Sequence, residues 1–364
     1  MRTRTLPTTT SLALAAVLVL SACGSEDDPE PAAATDLVSA ERCQANRDAG
    51  PITYLSSFDL GGSVAILNVL AAEELGYFDD LCLDVELQPS AENNAQLLSA
   101  GTAQIAGMGS ASDVMTAIAN GARITGVATY GAVGQVALMT RAGEITSLDQ
   151  LAGRTLGYKI VMPAQVRAML ESEGVDLGEL DLVSVGFDPT ILPNGDVDAL
   201  TGYKDNEPGV LDRSGHDVDV WSPTDYGVEG TFSVVATNTD WAVEHPTAVE
   251  DFLRASFQAY SWIEEDEAHL DEAIGWAEDR ATSGFDATNQ RARWVAGAQL
   301  IEDNLLEGHG LGYQTPELWA PEAELISRYG IVDDEVDPAA ALTTEYLDAI
   351  YDGDQLVWPP AAGN

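Results

Sequence analysis

From Pro51 onward the chain alternates between short strand patterns and amphipathic helix patterns, and this alternation limits its fold more than any other feature. Residues 52–56 form a strand pattern, after which Leu67, Leu70 and Leu75 fall on one face of a helix. Strands that are joined by crossover helices pair in parallel. We therefore predict a doubly wound, mostly parallel sheet, with further strands at 83–87, 104–108 and 124–128 and helices at 93–100 and 112–120.

The alternation restarts after Arg141, which predicts a second α/β lobe. Its predicted helices are 147–151, 164–173 and 207–213, and its strands are 154–159, 182–185, 197–200 and 218–221, followed by an extended segment at 231–236. The last third reads as helices at 246–265, 270–281 and 288–304. We expect a two-lobed clamp in which 49–141 begin lobe 1, 142–235 form lobe 2, and 236–364 return to lobe 1.

The expected position of a ligand follows from this topology. In open α/β sheets, ligands bind beyond the carboxyl ends of the strands, at the point where the strand order reverses. The corresponding loops would line a cleft between the lobes, and they cover residues 56–62, 108–112, 130–134, 158–163, 202–208 and 221–228.

The charge balance excludes some functions. The chain has 60 acidic and 16 basic residues, a formal net charge of −44. Because phosphate binding needs clustered Lys and Arg, we expect no nucleic-acid partner and no direct adhesion to anionic lipid headgroups. With 45% hydrophobic residues the chain can build a sizeable core. No apolar run beyond the N-terminus approaches the roughly 18 residues of a membrane-spanning helix.

The N-terminus has the pattern of a secretory signal, with Arg2 and Arg4 before a short apolar stretch. The run Leu20-Ser21-Ala22-Cys23 resembles a bacterial lipobox. This resemblance implies that 1–22 are removed and that Cys23 is acylated, which would anchor the protein at the outer face of the cytoplasmic membrane. We assign 23–48 to the lipidated cysteine and a flexible acidic tether. The alternative is an ordinary secretory signal in which Cys23 is incidental.

The other two cysteines, Cys43 and Cys82, form an even pair in an exported protein. We favour a disulfide between them, which requires their Cα atoms to lie within about 7 Å. The alternative is two buried free thiols. Neither residue has a histidine at a spacing typical of zinc ligands, so we expect no metal site.

Several motifs resemble the solute-binding lipoproteins of ABC importers, in the group that takes up nitrate, sulfonates, taurine and thiamine pyrimidine precursors. Residues 73–78, followed by the strand pattern 83–87, resemble that group's helix, G-Y-F and strand start. Residues 98–106 match its L-x-x-G-x-x-x-x-A element, and 145–154 its entry to the second lobe, with Arg154 in place of Lys. The resemblance implies a type II periplasmic-binding-protein-like fold. It also implies a protein that acts as a monomer together with a permease and an ATPase.

The segment 195–208 resembles the members that bind thiamine pyrimidine precursors, which share the fold of the fungal pyrimidine synthase. It contains Asn206-Glu207-Pro208, and a D-Y-G turn similar to theirs follows at 225–227. The first cleft loop departs from this pattern, because its candidate ligand contacts are Phe58 and Asp59 where the family often has Trp, Asn and His. Sulfonate, taurine, nitrate and riboflavin therefore remain alternative ligands.

The candidate ligand contacts each have a purely structural alternative. Glu207 can pair with the N–H edge of an aminopyrimidine and Asn206 can add an amide, but both residue types also suit a helix N-terminus. Ser110 can offer its hydroxyl to the ligand or cap the helix that follows it. Five aromatic residues can either stack on a flat ring or belong to the core: Phe58, Tyr158, Tyr203, Trp221 and Tyr226. We expect two of these five to touch the ligand.

The chain has only two lysines, Lys159 and Lys204, and each follows a Gly-Tyr pair in a predicted cleft loop. They either mark an anionic ligand group or lie there by chance. The competing function is a pyridoxal-phosphate-dependent pyrimidine synthase, with one of these lysines forming the Schiff base. Export and four scattered histidines without a catalytic arrangement argue against it. We expect a binding protein without a cofactor.

Overall fold

The structure is a computed structural model, and it describes residues 37–89, 93–159, 162–281 and 284–360. These described residues form one compact unit. The predicted signal peptide, the predicted acylation site Cys23 and the first part of the predicted tether lie outside the described residues.

Two five-stranded sheets organise this unit. The strands are β1 (Ile52–Leu55), β2 (Val85–Gln88), β3 (Ile105–Met108), β4 (Ile124–Gly131), β5 (Val136–Arg141), β6 (Thr155–Lys159), β7 (Asp181–Val185), β8 (Ala199–Tyr203), β9 (Val218–Trp221), β10 (Phe232–Asn238), β11 (Tyr351–Asp352) and β12 (Gln355–Leu356). The first sheet has the order β2-β1-β3-β10-β4 and the second β7-β6-β8-β5-β9, while β11 and β12 form a small separate hairpin.

Both sheets are mostly parallel, as the alternation predicts. In the first sheet, β1 pairs in parallel with β2 and β3, and only β10 runs against its neighbours β3 and β4. In the second sheet, β6 pairs in parallel with β7 and β8, and only β5 is antiparallel to β8 and β9. The chain therefore contributes to each sheet one strand that arrives from the other lobe.

The helices flank the sheets. They are α1 (Ala40–Asp48), α2 (Leu67–Glu74), α3 (Tyr77–Asp80), α4 (Asn94–Ser99), α5 (Ala111–Ala119), α6 (Ala164–Ser172), α7 (Glu207–Arg213), α8 (Thr239–Glu244), α9 (Pro246–Glu265), α10 (Glu267–Arg280), α11 (Ala287–Glu302), α12 (Pro316–Arg328), α13 (Pro338–Ala341) and α14 (Glu345–Ile350). Short 3₁₀ turns cover Leu148–Leu151, Leu177–Glu179, Pro189–Ile191 and Pro223–Tyr226. Among the described residues, no helix is both long enough and apolar enough to cross a bilayer.

The two crossings between the sheets differ from the predicted lobe boundaries. Val136–Arg141 was assigned to lobe 1, but as β5 it pairs with β8 and β9 of the second sheet. The start of β10, assigned to lobe 2, pairs with the first sheet. The crossings run side by side: a Cβ added at Gly230 would lie 3.3 Å from the Cα of Gly134. The absence of a side chain at Gly230 favours this close approach.

Separate cores hold the two sheets. Helices α9, α10 and α11 cover one face of the first sheet, where Tyr54, Phe252 and Trp294 are fully buried. The other face of that sheet packs against α5 and α12 around Trp319. The second sheet has one core beneath α6, around Leu156 and Met169, and a smaller one beneath α7. Since this burial supplies most of the stabilisation, the loops between the sheets remain available for other contacts.

Regular structure begins earlier in the chain than predicted. Residues 40–48, which the sequence analysis placed in the flexible tether, form α1, with Ser39 at its N-cap. A disulfide joins Cys43 of this helix to Cys82, with the two Cα atoms 5.2 Å apart. Arg42 adds a buried ion pair with Asp251 of α9. The disulfide of Cys43 and the ion pair of Arg42 fix α1 to the core, which explains why residues 40–48 are not part of a flexible tether.

Candidate functional site

The segment that joins β8 to α7 folds back on itself around the carboxylate of Glu207. The side chain of Glu207 is only 3% exposed. Its Oε2 accepts a hydrogen bond from the backbone N–H of Tyr203 at 2.7 Å. This arrangement requires glycine at 202, because a Cβ there would lie 2.7 Å from Oε2. The sequence thus buries an acid at the carboxyl end of a strand of the second sheet.

Two further side chains bind the other oxygen of this carboxylate. Lys159, at the end of β6, forms an ion pair with Oε1 of Glu207, and the lysine side chain is 10% exposed. Asn206 donates to the same oxygen at 3.3 Å. Asn206 stands at the N-cap of α7 but makes no side-chain capping hydrogen bond. Its amide therefore serves Glu207 rather than the helix.

An aromatic pair reaches from the first sheet to the second. Phe58 follows β1, and its ring meets that of Tyr203 edge-on, with centroids 6.0 Å apart. Arg293 of α11 places its guanidinium carbon 5.7 Å from the centre of the Phe58 ring. Such contacts with a π face are favourable for both a second ring and a cation. Phe58 is still 37% exposed, so part of its face is free to contact another molecule.

Arg293 also forms an ion pair with Asp205, with its Nε 3.1 Å from Oδ2. Asp205 lies between Tyr203 and Glu207 in the chain and is 5% exposed. Burial raises the pKa of Asp205, and the charge of Arg293 acts against that rise. Because α11 packs on the core of the first sheet, this ion pair connects the helical layer of one sheet to a loop of the other.

A second group of carboxylates lies at the start of α5. Ser110 is at the N-cap of this helix, and its N–H donates to Asp113 at 3.1 Å. Burial, together with the nearby charge of Glu322, raises the pKa of Asp113 from 3.8 to about 6. Burial and the charge of Asp113 in turn raise the pKa of Tyr203 to about 12. The charge of Asp113 at the first sheet therefore acts on Tyr203 of the second.

The structure thus brings four of the predicted residues into one group, namely Phe58, Tyr203, Asn206 and Glu207. Lys159, which the sequence left open between ligand contact and chance, joins them. We call the set Phe58, Lys159, Tyr203, Asp205, Asn206, Glu207 and Arg293 the interlobe cluster.

Other predicted contacts lie elsewhere. Tyr158, Trp221 and Tyr226 pack, partly buried, on the core beneath α6. Asp59 is exposed on the loop after β1. Lys204 is not part of the interlobe cluster, and burial lowers its pKa while Asp225 acts against that change.

A cavity of about 340 Å³ lies outside the interlobe cluster. It is lined by Pro208, Gly209, Asp212, His216, Asp217 and Val218.

Sequence reasoning missed two members of the interlobe cluster, Asp205 and Arg293. Asp205 lies inside the segment that carried the family resemblance, but an aspartate in so acidic a chain gives no signal. Arg293 lies in a helix assigned to lobe 1, and only the rarity of basic residues, 16 in the whole chain, could have drawn attention to it. In the described part of the chain, no group of three or more His, Cys, Asp or Glu side chains could hold a metal ion.

Comparison with solved structures identifies the fold. The periplasmic aliphatic sulphonate binding protein SsuA from Escherichia coli superposes with a TM-score of 0.60 at 14% identity, covering 80% of this chain and 96% of that one. The desulfurization enzyme DSZB gives a TM-score of 0.55 at 15% identity, covering 82% of this chain and 98% of that one. The chain has the fold of the periplasmic solute-binding class, a fold that an enzyme also uses.

Sequence comparison identifies the family. The chain belongs to the NMT1/THI5-like family, whose pattern matches residues 64–268. The formylaminopyrimidine-binding protein of Halalkalibacterium halodurans is 29% identical over 56% of this chain, and the match spans 63% of that relative, less than two thirds of its length. The riboflavin-binding protein RibY of Chloroflexus aurantiacus is 24% identical over 93% of this chain and 97% of that relative.

Proposed function

We propose that this chain is the extracytoplasmic solute-binding protein of an ABC importer, and that it captures a thiamine pyrimidine precursor of the formylaminopyrimidine or hydroxymethylpyrimidine type. The observation that carries this proposal is the buried carboxylate of Glu207, held in one short segment with Tyr203 and Asn206. The likeness to a formylaminopyrimidine-binding protein supports the same ligand class.

The chemistry of the interlobe cluster suits an aminopyrimidine. A carboxylate offers about four acceptor positions, and Glu207 uses two on Oε1 and one on Oε2, which leaves one for a ligand N–H. The ring of the ligand would pack on the exposed face of Phe58 and on Tyr203, because flat rings favour offset or edge-on contacts. Binding needs no covalent step, and closure of the lobes around the ligand would present a shape that a permease can sense.

Riboflavin is the second candidate, and the observation in its favour is the relative RibY, which matches this chain over nearly its whole length. A sulfonate has less support. Both cations of the interlobe cluster, Lys159 and Arg293, are already paired with carboxylates, so neither is free to neutralise an anion. We include both ligand classes in the test below.

The remaining parts of the proposal concern location and partners. We propose that Cys23 is acylated, that the protein is held at the outer face of the cytoplasmic membrane, and that it acts as a monomer with a permease and an ATPase. We further propose that it is not an enzyme and needs no cofactor. The lipobox pattern supports the anchor. Incorporation of labelled palmitate should disappear in Cys23→Ala, and incorporation that survives this change removes the anchor.

Titration calorimetry of the full-length protein in detergent tests the ligand. The panel is formylaminopyrimidine, hydroxymethylpyrimidine, riboflavin, taurine and an alkanesulfonate. We expect a pyrimidine to bind, and Glu207→Gln to weaken it by about 1.5–3 kcal/mol, because a hydrogen bond to a charged group is lost. Asp212→Asn, at an exposed position on α7, is the charge-matched control. A protein that binds the sulfonate but neither pyrimidine contradicts the proposal.

A further inference from the structure

Asp205 has a buried carboxylate oxygen that no other residue in the described part of the chain satisfies, and only its own backbone N–H acts on the carboxylate besides Arg293 and Glu207. Its Oδ2 accepts from Arg293, but its Oδ1 is inaccessible to solvent and has no hydrogen-bond partner. The residue as a whole is 5% exposed. Buried acceptors in native proteins are nearly always paired, and a buried charged oxygen that is left unpaired is destabilising. Five other buried side-chain atoms of the described residues also lack a partner, so the position of Asp205 decides what its partner is.

The position of Asp205 points to the same molecule that Glu207 would bind. Asp205 lies in the segment between Tyr203 and Glu207, and its partner Arg293 stands over the ring of Phe58. A ligand that packs on Phe58 and Tyr203 would therefore lie beside the segment that carries both carboxylates. One of these carboxylates, Glu207, is nearly saturated by the protein's own donors, whereas Asp205 is not.

The charges of the interlobe cluster add a second argument. Its two carboxylates, Asp205 and Glu207, are matched by the two cations Lys159 and Arg293. An anionic ligand would add a negative charge without a partner, and Asp113 near Tyr203 would oppose it further. In a site this buried, an unmatched charge is costly. A neutral ligand with N–H or O–H donors adds no unmatched charge, and a cationic one would have Asp113 as its counter-charge.

We propose that Asp205 is a ligand-binding residue that determines specificity: its Oδ1 accepts a hydrogen bond from an N–H or O–H of the ligand, and the site thereby selects donor-bearing neutral or cationic heterocycles over anions. This inference rests on the proposed function for the ligand class, but it assigns a separate residue and a separate contact. Asp205 thus has two partners in the loaded protein, Arg293 on Oδ2 and the ligand on Oδ1.

A double-mutant cycle separates a ligand contact from a structural role. Asp205→Asn keeps the size of the side chain but removes its charge, and Arg293→Gln removes the guanidinium. Calorimetry of the full-length protein with formylaminopyrimidine, hydroxymethylpyrimidine, riboflavin and ethanesulfonate is repeated for the wild type, both single variants and the double variant. Asp212→Asn is again the control. Thermal unfolding of each ligand-free variant verifies that it is folded.

If Asp205 binds the ligand, Asp205→Asn weakens binding about ten-fold or more, and it does so in the Arg293→Gln background as well. If Asp205 only holds Arg293 in place, Asp205→Asn has no further effect once Arg293 is replaced, and the inference is overturned while a bound pyrimidine still supports the proposed function. If riboflavin alone binds and is weakened, the pyrimidine proposal fails and the inference holds. A protein that binds only ethanesulfonate, or nothing in the panel, overturns both.

Discussion

Relative to the wild type, the variant Asp113→Asn should gain stability as the pH rises from acid to neutral. Burial and the charge of Glu322 raise the pKa of Asp113 from 3.8 to about 6. Below about pH 3.8 the carboxyl is protonated in both the folded and the unfolded chain, so it contributes no pH dependence. Between about pH 3.8 and about pH 6, Asp113 ionises in the unfolded chain but stays protonated in the folded one, so the free energy of unfolding falls as the pH rises. Above about pH 6 this loss of stability is complete.

The size of the loss follows from the raised pKa. At 1.36 kcal/mol for each pH unit, a rise from 3.8 to about 6 costs about 3 kcal/mol of folding free energy at neutral pH. Asparagine at 113 does not titrate, and its side-chain oxygen can still accept from the N–H of Ser110. The unfolding free energy of Asp113→Asn minus that of the wild type should therefore increase by about 3 kcal/mol from acid to neutral pH.

Urea unfolding followed by tryptophan fluorescence at several values from about pH 3.5 to about pH 7.5 measures this difference. The value at the acid end gives the effect of the substitution itself, and the change with pH reports the titration of Asp113. Asp279→Asn, at an exposed position on α10, controls for the loss of one negative charge in a chain of net charge −44. A difference that stays constant within about 0.5 kcal/mol across this range would show that Asp113 is not held in an environment that disfavours its charge.

Two further predictions concern the fold. Gly126→Ala should destabilise the protein by about 1–3 kcal/mol, because the new Cβ would lie 2.3 Å from the buried ring of Trp319; Gly275→Ala, with nothing within 4 Å, should be neutral or stabilising, and equal urea midpoints for the two variants would contradict this. Cys43→Ser should lower the unfolding free energy by about 2–4 kcal/mol, since the disulfide to Cys82 closes a separation of 39 residues. Mild reduction of the wild type should have the same effect, and a smaller change than about 1 kcal/mol in both would contradict it.

The sequence predicts elements well where one pattern dominates. Helix α9 has the predicted bounds, because Pro246 starts it and its apolar residues recur along one face over five turns. Strand β5 was missed, since its four central residues are all buried and an element buried on both faces has no alternation to read. The helices α1 and α12 were missed for a different reason: they are stabilised by distant partners such as Asp251 and Thr231, which the local sequence does not show.

The candidate site divides in the same way. Tyr203, Asn206 and Glu207 were candidates because they lie in a predicted cleft loop within the segment that carries the family resemblance, and the local chain geometry brings them together. Lys159 was recognised only as a rare residue type, because its contact with Glu207 depends on the parallel pairing of β6 and β8. Arg293 could not be found from local patterns, since its role depends on how the helical layer of the first sheet faces the second.

In the proposed mechanism, the interlobe cluster uses the same residues for closure of the lobes and for ligand contact. In the present arrangement Phe58 and Arg293 from the first sheet side meet Tyr203 and Asp205 from the second. Separating the sheets would break both contacts and expose the acceptors of Asp205 to water. A ligand that then enters can be held only if it replaces the ring contact and supplies a donor, so that closing the lobes again leaves no buried oxygen unpaired. A molecule that lacks either feature would leave closure less favourable, and selection would follow from the closing step itself.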